Sequence, residues 1–275
     1  MAIVLDRLRS PAPSNPNQPG PLRAAVGKAA GTVAQAATTD KPAAAPIAAA
    51  VVPPRVAVRR TRAAERVALA GLGGFGALFA LVRANRTGAV DTAITLQIQA
   101  RRHPAIDAVM AVASWPGFPP QSRLIPPTII AALAAAGLRV EAMCETAAWG
   151  SALVSTVAKS FMGRERPVAG KDLRVVAAPL GGSSFPSGHV LTYVGTYGFL
   201  AVLASSLIRP VPVRWAVVGG LGALIALVGP SRIQQGHHWP TDVTASYLLG
   251  TSYLVGVTAA YRRLKAASSW QPASS

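Results

Sequence analysis

Three polar clusters punctuate a chain that is otherwise rich in apolar residues: Lys159 with Arg166 and Pro167, then Pro186-Ser187-Gly188-His189, then Ser231-Arg232 with His238 and Asp242. Each abuts a hydrophobic run, and cationic side chains are expensive beside hydrocarbon, so clusters of this kind at segment ends imply a task. Their residue types suit phosphoryl chemistry. A phosphomonoester brings up to two negative charges, and the transition state for its transfer spreads charge over the equatorial oxygens, so a pocket must supply several fixed donors. Lys159, Arg166 and Arg232 supply positive charge; an arginine fork grips two oxygens at once, whereas lysine acts as a mobile point charge. Pro186-Ser187-Gly188 leads into an apolar helical run. The Ser187 and Gly188 amides and the positive end of that helix are therefore expected to face the same anion, with Gly188 letting the backbone come close.

Two histidines are left for bond making. His238 precedes Asp242 by four residues at the start of an apolar segment with Pro240 in its first turn. A carboxylate placed there can hold one ring N–H, which turns the other nitrogen, unprotonated, toward phosphorus. His189 would then protonate the leaving alcohol. Attack by nitrogen gives a phosphohistidine that water cleaves, so two modest barriers replace one high one. Taken singly, each residue has a plainer role, a histidine as a helix cap or an arginine as an anchor at the bilayer edge. His237 could be the reactive ring instead of His238, although its offset of five from Asp242 makes it the poorer partner. Arg164 is a weaker candidate for a headgroup contact, and His103, Glu165, Lys171 and Arg174 read as structural or surface residues.

The elements that must position these groups are membrane segments. Hydrophobic residues make up 51% of the 275 and charged ones only 13%, against about 25% charged in soluble domains. Six apolar stretches follow one another, at 67–83, about 122–138, 142–158, 189–208, 213–229 and 243–261. Several fall slightly short of the roughly 20 residues that span a bilayer, and Pro126 and Pro127 weaken the second. Ile106, Val109, Met110 and Ala113 follow an i, i+3, i+4, i+7 pattern, which predicts an interfacial helix along the membrane surface or, alternatively, a cover over the mouth of the bundle. Lys and Arg assign the sides: the basic N-terminal region, Arg139, Arg209 with Arg214, and Arg262, Arg263 and Lys265 mark ends expected to be cytoplasmic. The three clusters fall on the opposite ends. Arg101, Arg102 and the basic residues between 159 and 174 run mildly against this assignment.

The net charge of +17 therefore belongs to membrane orientation and anionic headgroups, with no nucleic-acid partner implied. Residues 1–65 are rich in Ala and Pro and end in Arg55, Arg59, Arg60 and Arg62, with Arg66 just beyond, which predicts a disordered cytoplasmic tail. The run from Met1 to Leu5 is too short, and stands on the wrong side of its charges, for a signal peptide. Gly71-x-Gly73-x-x-Gly76 matches the dinucleotide fingerprint, but it lies inside an apolar run with no preceding strand. Close helix packing over small residues is the better reading, for this motif and for Gly219, Gly220 and Gly222. Cys144, the single cysteine, forms no intrachain disulfide, and no Cys/His spacing suggests a metal.

The strings Lys159-x6-Arg166-Pro167, Pro186-Ser187-Gly188-His189 and Ser231-Arg232-x5-His238-x3-Asp242 closely resemble the three-part signature of the type-2 phosphatidic acid phosphatase family, at every signature position. The resemblance covers about 90–245 and extends loosely over all six apolar stretches. It implies a metal-independent lipid phosphate phosphatase without cofactor. His238 would be the nucleophile, Asp242 its orienting partner and His189 the acid, while Lys159, Arg166, Ser187, Gly188 and Arg232 would hold the phosphoryl group. These motifs are similar to those of soluble vanadium-dependent haloperoxidases, from which the apolar content separates this chain.

The expected architecture is all-α: an integral membrane bundle of six transmembrane helices plus an interfacial helix, spanning 66–265, between the disordered tail and a short flexible segment over 266–275. Both termini are expected inside and the site on the outer side of a plasma membrane. The motifs bind only the phosphate that lipid substrates share, so selectivity falls to helix surfaces and to the loop 168–188, where Gly181-Gly182-Ser183-Ser184 is expected to flex as a lid. A phosphotransferase using the same phosphohistidine, or a non-catalytic transporter or scaffold, are the alternative readings.

Overall fold

A computed structural model of the chain describes residues 54–100, 103–170, 173–176 and 181–268, and every regular element among them is helical. The expected tail lies outside the described residues up to residue 53, as do residues 269–275 of the expected C-terminal segment. The elements are α1 (Pro54–Arg83), α2 (Gly88–Ala100), α3 (Pro104–Ser114), a 3-10 turn (Trp115–Gly117), α4 (Gln121–Ala135), α5 (Arg139–Trp149), α6 (Ser151–Ser160), α7 (Gly188–Leu207), α8 (Val211–Gln234) and α9 (Pro240–Ser268). Residues 54–65, read from composition as the end of the tail, are helical and continuous with the first apolar stretch.

Four helical segments among the described residues are long and apolar enough to cross a membrane: Arg62–Arg83, Gly188–Leu207, Val211–Gln234 and Pro240–Ala267. They coincide with the first, fourth, fifth and sixth apolar stretches. The other two take different forms. The second is α4, 15 residues that carry Pro126 and Pro127 inside the helix. The third is jointed, because α5 ends at Trp149 and α6 begins at Ser151, with Gly150 between them. A Cβ on Gly150 would sit 2.8 Å from the Ala147 carbonyl oxygen and 3.1 Å from the Tyr253 hydroxyl, so the joint admits only glycine without rearrangement.

α7 is the interior element, with Val190, Leu191 and Phe199 fully buried. A π-helical turn at Tyr193–Tyr197 widens its inner face, a feature common at functional sites. Tyr193, Val194 and Tyr197 pack with Val228 and Ile233 of α8 and Val243 of α9. Farther along, Phe199 and Leu203 meet Cys144, Ala148 and Tyr261, and the buried Cys144 is a free thiol. α3 rests on α8 through buried Ala113 and Ser114 while Ile106 and Val109 stay exposed. The Ser114 hydroxyl donates to Ser231 Oγ at 2.7 Å, and Gln234 Nε2 to Asp107 Oδ1 at 2.6 Å.

The glycines divide. A Cβ on Gly71 would collide with Ser252 Oγ and the Leu248 carbonyl of α9, and one on Gly74 would lie 3.0 Å from Leu248 Cδ1. Ser252 Oγ also donates to the Ala68 carbonyl at 2.9 Å. Helix-to-helix packing is thus what Gly71 serves, together with Gly74 beside it, whereas a Cβ on Gly73 or Gly76 meets nothing within 4 Å, so the expectation fails for those two glycines of the motif. Gly219, Gly220 and Gly222 correct the expectation made for them, since a Cβ at any of the three meets nothing within 4 Å among the described residues. Gly71→Leu should therefore cost about 1–3 kcal/mol and lower the melting temperature of the detergent-solubilised protein, while Gly220→Leu should leave it nearly unchanged; equal effects would mean that α1 does not pack on α9 at Gly71.

Candidate active site

The site is assembled where α8 ends and α9 begins. Gly236 closes α8 with a positive φ of 72°, and a Cβ there would strike the Arg174 carbonyl, so only glycine makes this turn without strain. The turn delivers His237 and His238 to the interior, both buried. Two carboxylates cap α9. Asp242 Oδ2 accepts the Trp239 amide at 2.9 Å, the reach-back half of a capping box, and Asp91 of α2 accepts the Thr241 amide at 2.9 Å through Oδ1. Negative charge at a helix N-terminus is favourable, so α9 stabilises both.

The hydrogen bonds of His238 select its tautomer. Nδ1 lies 2.8 Å from the Ser184 carbonyl, which can only accept, so Nδ1 carries the proton. Arg166 Nη1 lies 3.3 Å from Nε2, and a guanidinium can only donate, so Nε2 carries the lone pair. The expected orienting carboxylate, Asp242, stands farther off, with Oδ2 at 3.6 Å from Nδ1. The ring is therefore held by a backbone carbonyl, and Asp242 acts on it through charge. Burial pushes the His238 imidazole down to about 4, opposed by the Asp242 carboxylate and assisted by Arg166 and Lys159, so the ring is neutral at physiological pH.

His237 has the opposite assignment. Arg232 Nη1 approaches its Nδ1 at 3.3 Å, which occupies that lone pair and leaves the proton on Nε2. Burial first, then the charges of Arg232, His238 and Arg166, hold His237 down to about 4. Its other nitrogen is thus a donor. An arginine Nη1 stands 3.3 Å from the lone pair of each ring, and what sets His238 apart is that it lines the same cavity as Lys159 and Arg166 while His237 does not.

Lys159 Nζ donates to the Ser183 carbonyl at 3.0 Å, and Arg166 donates to the His237 carbonyl at 2.8 Å. Arg232 is fully buried, donates to Gln235 Oε1 at 2.6 Å, and lies over the Phe118 ring at 4.6 Å. None of these three cations has a carboxylate ion-pair partner among the described residues. Arg166 Nε, Arg232 Nε, Ser187 Oγ and His189 Nε2 are buried without hydrogen-bond partners. Buried charge is ordinarily paired, so this concentration of unanswered donors is a place for an anion.

Lys159, Arg166, Gly188, His189 and His238 line one cavity of about 430 Å³. Trp149, Ala152, Thr192, Tyr193, Thr196 and Tyr197 form a largely apolar flank of the same cavity. Ser187, Arg232 and Asp242 stand behind its wall. The Ser187 amide does not face an anion as expected, because it donates to Ser246 Oγ at 2.7 Å. Gly188 leaves room for Ser155, whose Oγ would lie 3.2 Å from an added Cβ, and Gly117 leaves room for the His189 ring, which a Cβ would strike.

Two residues of the anticipated lid, Ser183 and Ser184, are tied to the segment after α6. Ser183 Oγ accepts the Arg164 amide at 3.1 Å, the Ser184 amide donates to the Arg164 carbonyl at 2.8 Å, and Ser184 Oγ donates to the Glu165 carbonyl at 3.1 Å. Arg164, read as a headgroup contact, instead bridges Asp91 at 2.6 Å and Asp242 at 2.5 Å. Sequence reasoning missed Asp91, Phe118, Gly117, Ser246 and the Ser184 carbonyl. The one signal for Asp91 was a carboxylate in a mostly apolar helix.

The fold and the site define a membrane-embedded helical protein with a cavity lined by Lys159, Arg166 and a neutral histidine. Residues 142–266 match the model of the PAP2 superfamily. Among solved structures the chain is similar to a transmembrane PAP2-type phosphatidylglycerolphosphate phosphatase from Bacillus subtilis, at 25% identity and a TM-score of 0.61 over 72% of this chain and 96% of that one. It is also similar to Aquifex aeolicus LpxE, at 22% identity and a TM-score of 0.48 over 61% of this chain and 94% of that one. No curated protein matches it. The chain is thus an integral membrane protein that resembles the PAP2 superfamily over residues 142–266.

Inorganic vanadate titrated into the solubilised protein should bind, and Arg166→Ala should weaken binding on the order of tenfold or more, the loss of a charge-assisted hydrogen bond. Isothermal titration calorimetry reads this directly, and unchanged affinity would put the anion somewhere else.

Proposed function

We propose that the protein hydrolyses a phosphomonoester or diphosphate on a membrane lipid, without a metal, through a phosphohistidine on His238. The observation that carries this reading is the Nε2 lone pair of His238, a residue of the cavity wall, beside buried cations that have no carboxylate partner among the described residues. Nε2 attacks phosphorus, the P–N bond forms, and the P–O bond to the lipid alcohol breaks. His189, on the same cavity, gives its proton to the leaving oxygen. Water then attacks phosphorus, losing its proton to His189, and the P–N bond breaks to release phosphate. Lys159 and Arg166 hold the phosphoryl oxygens, Arg232 adds charge from behind the wall, and Gly188 lets the backbone come close at the cavity wall. Asp242 stabilises the positive ring as phosphorus is transferred to it.

The apolar flank of the cavity suits an acyl or prenyl chain, and the phosphatase relative from Bacillus subtilis supports a lipid phosphate as substrate. In this reading α1, α4, the jointed α5–α6 rod, α7, α8 and α9 make six crossings. α3 lies at the interface with its exposed Ile106 and Val109 toward lipid. The site opens at the outer leaflet, and both termini are cytoplasmic, following the basic residues at the opposite ends.

Phosphate release from lipid monophosphates and diphosphates should persist in chelator and be abolished by His238→Ala. His189→Ala should be tolerated far better on esters with good leaving groups, because these need no proton. Equal loss on all esters would remove His189 from the acid role. A second expectation concerns pH. Since His238 attacks only when neutral, and burial holds it down to about 4 from 6.5, the acid limb of kcat/KM should lie near pH 4. A limb near 6.5 would show a solvated nucleophile or a different one. The unfolded chain binds this proton at higher pH than the folded one, so the fold also loses stability as pH falls through that window.

A further inference from the structure

We propose that Asp91 and Arg164 act as a charge relay behind Asp242 that sets the proton affinity of His238, and are positioning residues for the reaction proposed above, on which this inference rests. Asp91 belongs to α2, outside the matched residues 142–266, and is fully buried. Its Oδ2 accepts Arg164 Nη2 at 2.6 Å and Thr241 Oγ1 at 2.8 Å, while Oδ1 accepts the Thr241 amide at 2.9 Å. The other arm of Arg164 donates to Asp242 Oδ1 at 2.5 Å and Thr241 Oγ1 at 2.8 Å. One guanidinium is therefore shared between two buried carboxylates.

That sharing matters because of what else faces His238. Lys159 of α6, Arg166 of the following segment, His189 of α7 and the neighbouring His237 bring positive or protonatable groups toward the ring. Asp242, at 3.6 Å, is the nearest negative charge to the ring among the described residues. If Arg164 bonded Asp242 alone, the two charges would cancel and His238 would face cations without a counterweight. Asp91 draws half of the guanidinium to itself, so the Asp242–Arg164–Asp91 unit keeps one net negative charge, with Asp242 at the end nearest the ring. That charge stabilises His238 as it turns positive on attacking phosphorus.

A plain helix cap is the competing role, and substitutions separate the two. Asn at position 91 still offers an oxygen to the Thr241 amide but lacks the charge. With purified full-length protein and a lipid phosphate, Asp91→Asn should lower kcat about tenfold with KM within about twofold, and should move the acid limb of kcat/KM down by about half a unit. Asp91→Glu should restore most of the rate. Arg164→Gln should move the limb the opposite way, upward, because Asp242 is then unneutralised. Limbs that stay fixed in folded variants, or that shift in the same direction for both, would overturn the relay, as would a loss confined to KM. If Arg164→Gln does not fold, the limb of Asp91→Asn decides alone, and if that variant too does not fold, failure of Asp91→Glu to support turnover with an unshifted limb counts against the relay. Wild-type protein that releases no phosphate would overturn the hydrolase reading instead, which keeps the two failures apart.

Discussion

A histidine attacks phosphorus only through a nitrogen that carries a lone pair, and the Ser184 carbonyl determines which nitrogen of His238 that is. The 2.8 Å bond fixes the proton on Nδ1 and leaves Nε2 toward the cavity. Much of the surrounding structure serves this one contact. The carbonyl must not move, and it is held by the bonds that tie Ser183 and Ser184 to Arg164 and Glu165. Arg164 in turn is anchored by two carboxylates, one on α2 and one on α9. The ring must sit at the right height, and the Gly236 turn sets it there.

The second constraint is charge without a counterion. Lys159 in the last turn of α6, Arg166 in the irregular segment after it and Arg232 in the last turn of α8 are brought together, and no carboxylate pairs with them among the described residues. Holding such charges near one another in a membrane protein is costly in the absence of an anion, and the cost is recovered when phosphate enters. Position separates the two adjacent histidines. Both rings have an arginine Nη1 at 3.3 Å from the lone pair, but only His238 lines the cavity, which is why the proposed attack on phosphorus is assigned to it.

Much of this was legible in the sequence because the clusters are short strings at segment ends, where chemistry-bearing side chains stand out against apolar runs. Lys159, Arg166, His189 and His238 do share one cavity. What could not be read is what depends on backbone or on distant elements. A carbonyl such as that of Ser184 has no side-chain signature, and it took the place expected for Asp242. Asp91 lies far along the chain from its partners Arg164 and Thr241, so no spacing links them. Counting apolar residues found the long helices but could not show the joint at Gly150, because a stretch of uniform hydropathy hides a break in the helix. Glycine patterns were ambiguous for the same reason: Gly71 meets a neighbouring helix and Gly220 meets none among the described residues, and composition does not distinguish them.

Trapping the covalent intermediate bears most directly on this picture. A lipid phosphate labelled in its phosphoryl group, mixed with the protein and quenched in alkali within the first turnover, should leave an alkali-stable, acid-labile label that tandem mass spectrometry places on the His238 ring, with the phosphoryl on Nε2. Label on His237 or His189, or steady release of phosphate with no labelled protein at any quench time, would contradict it.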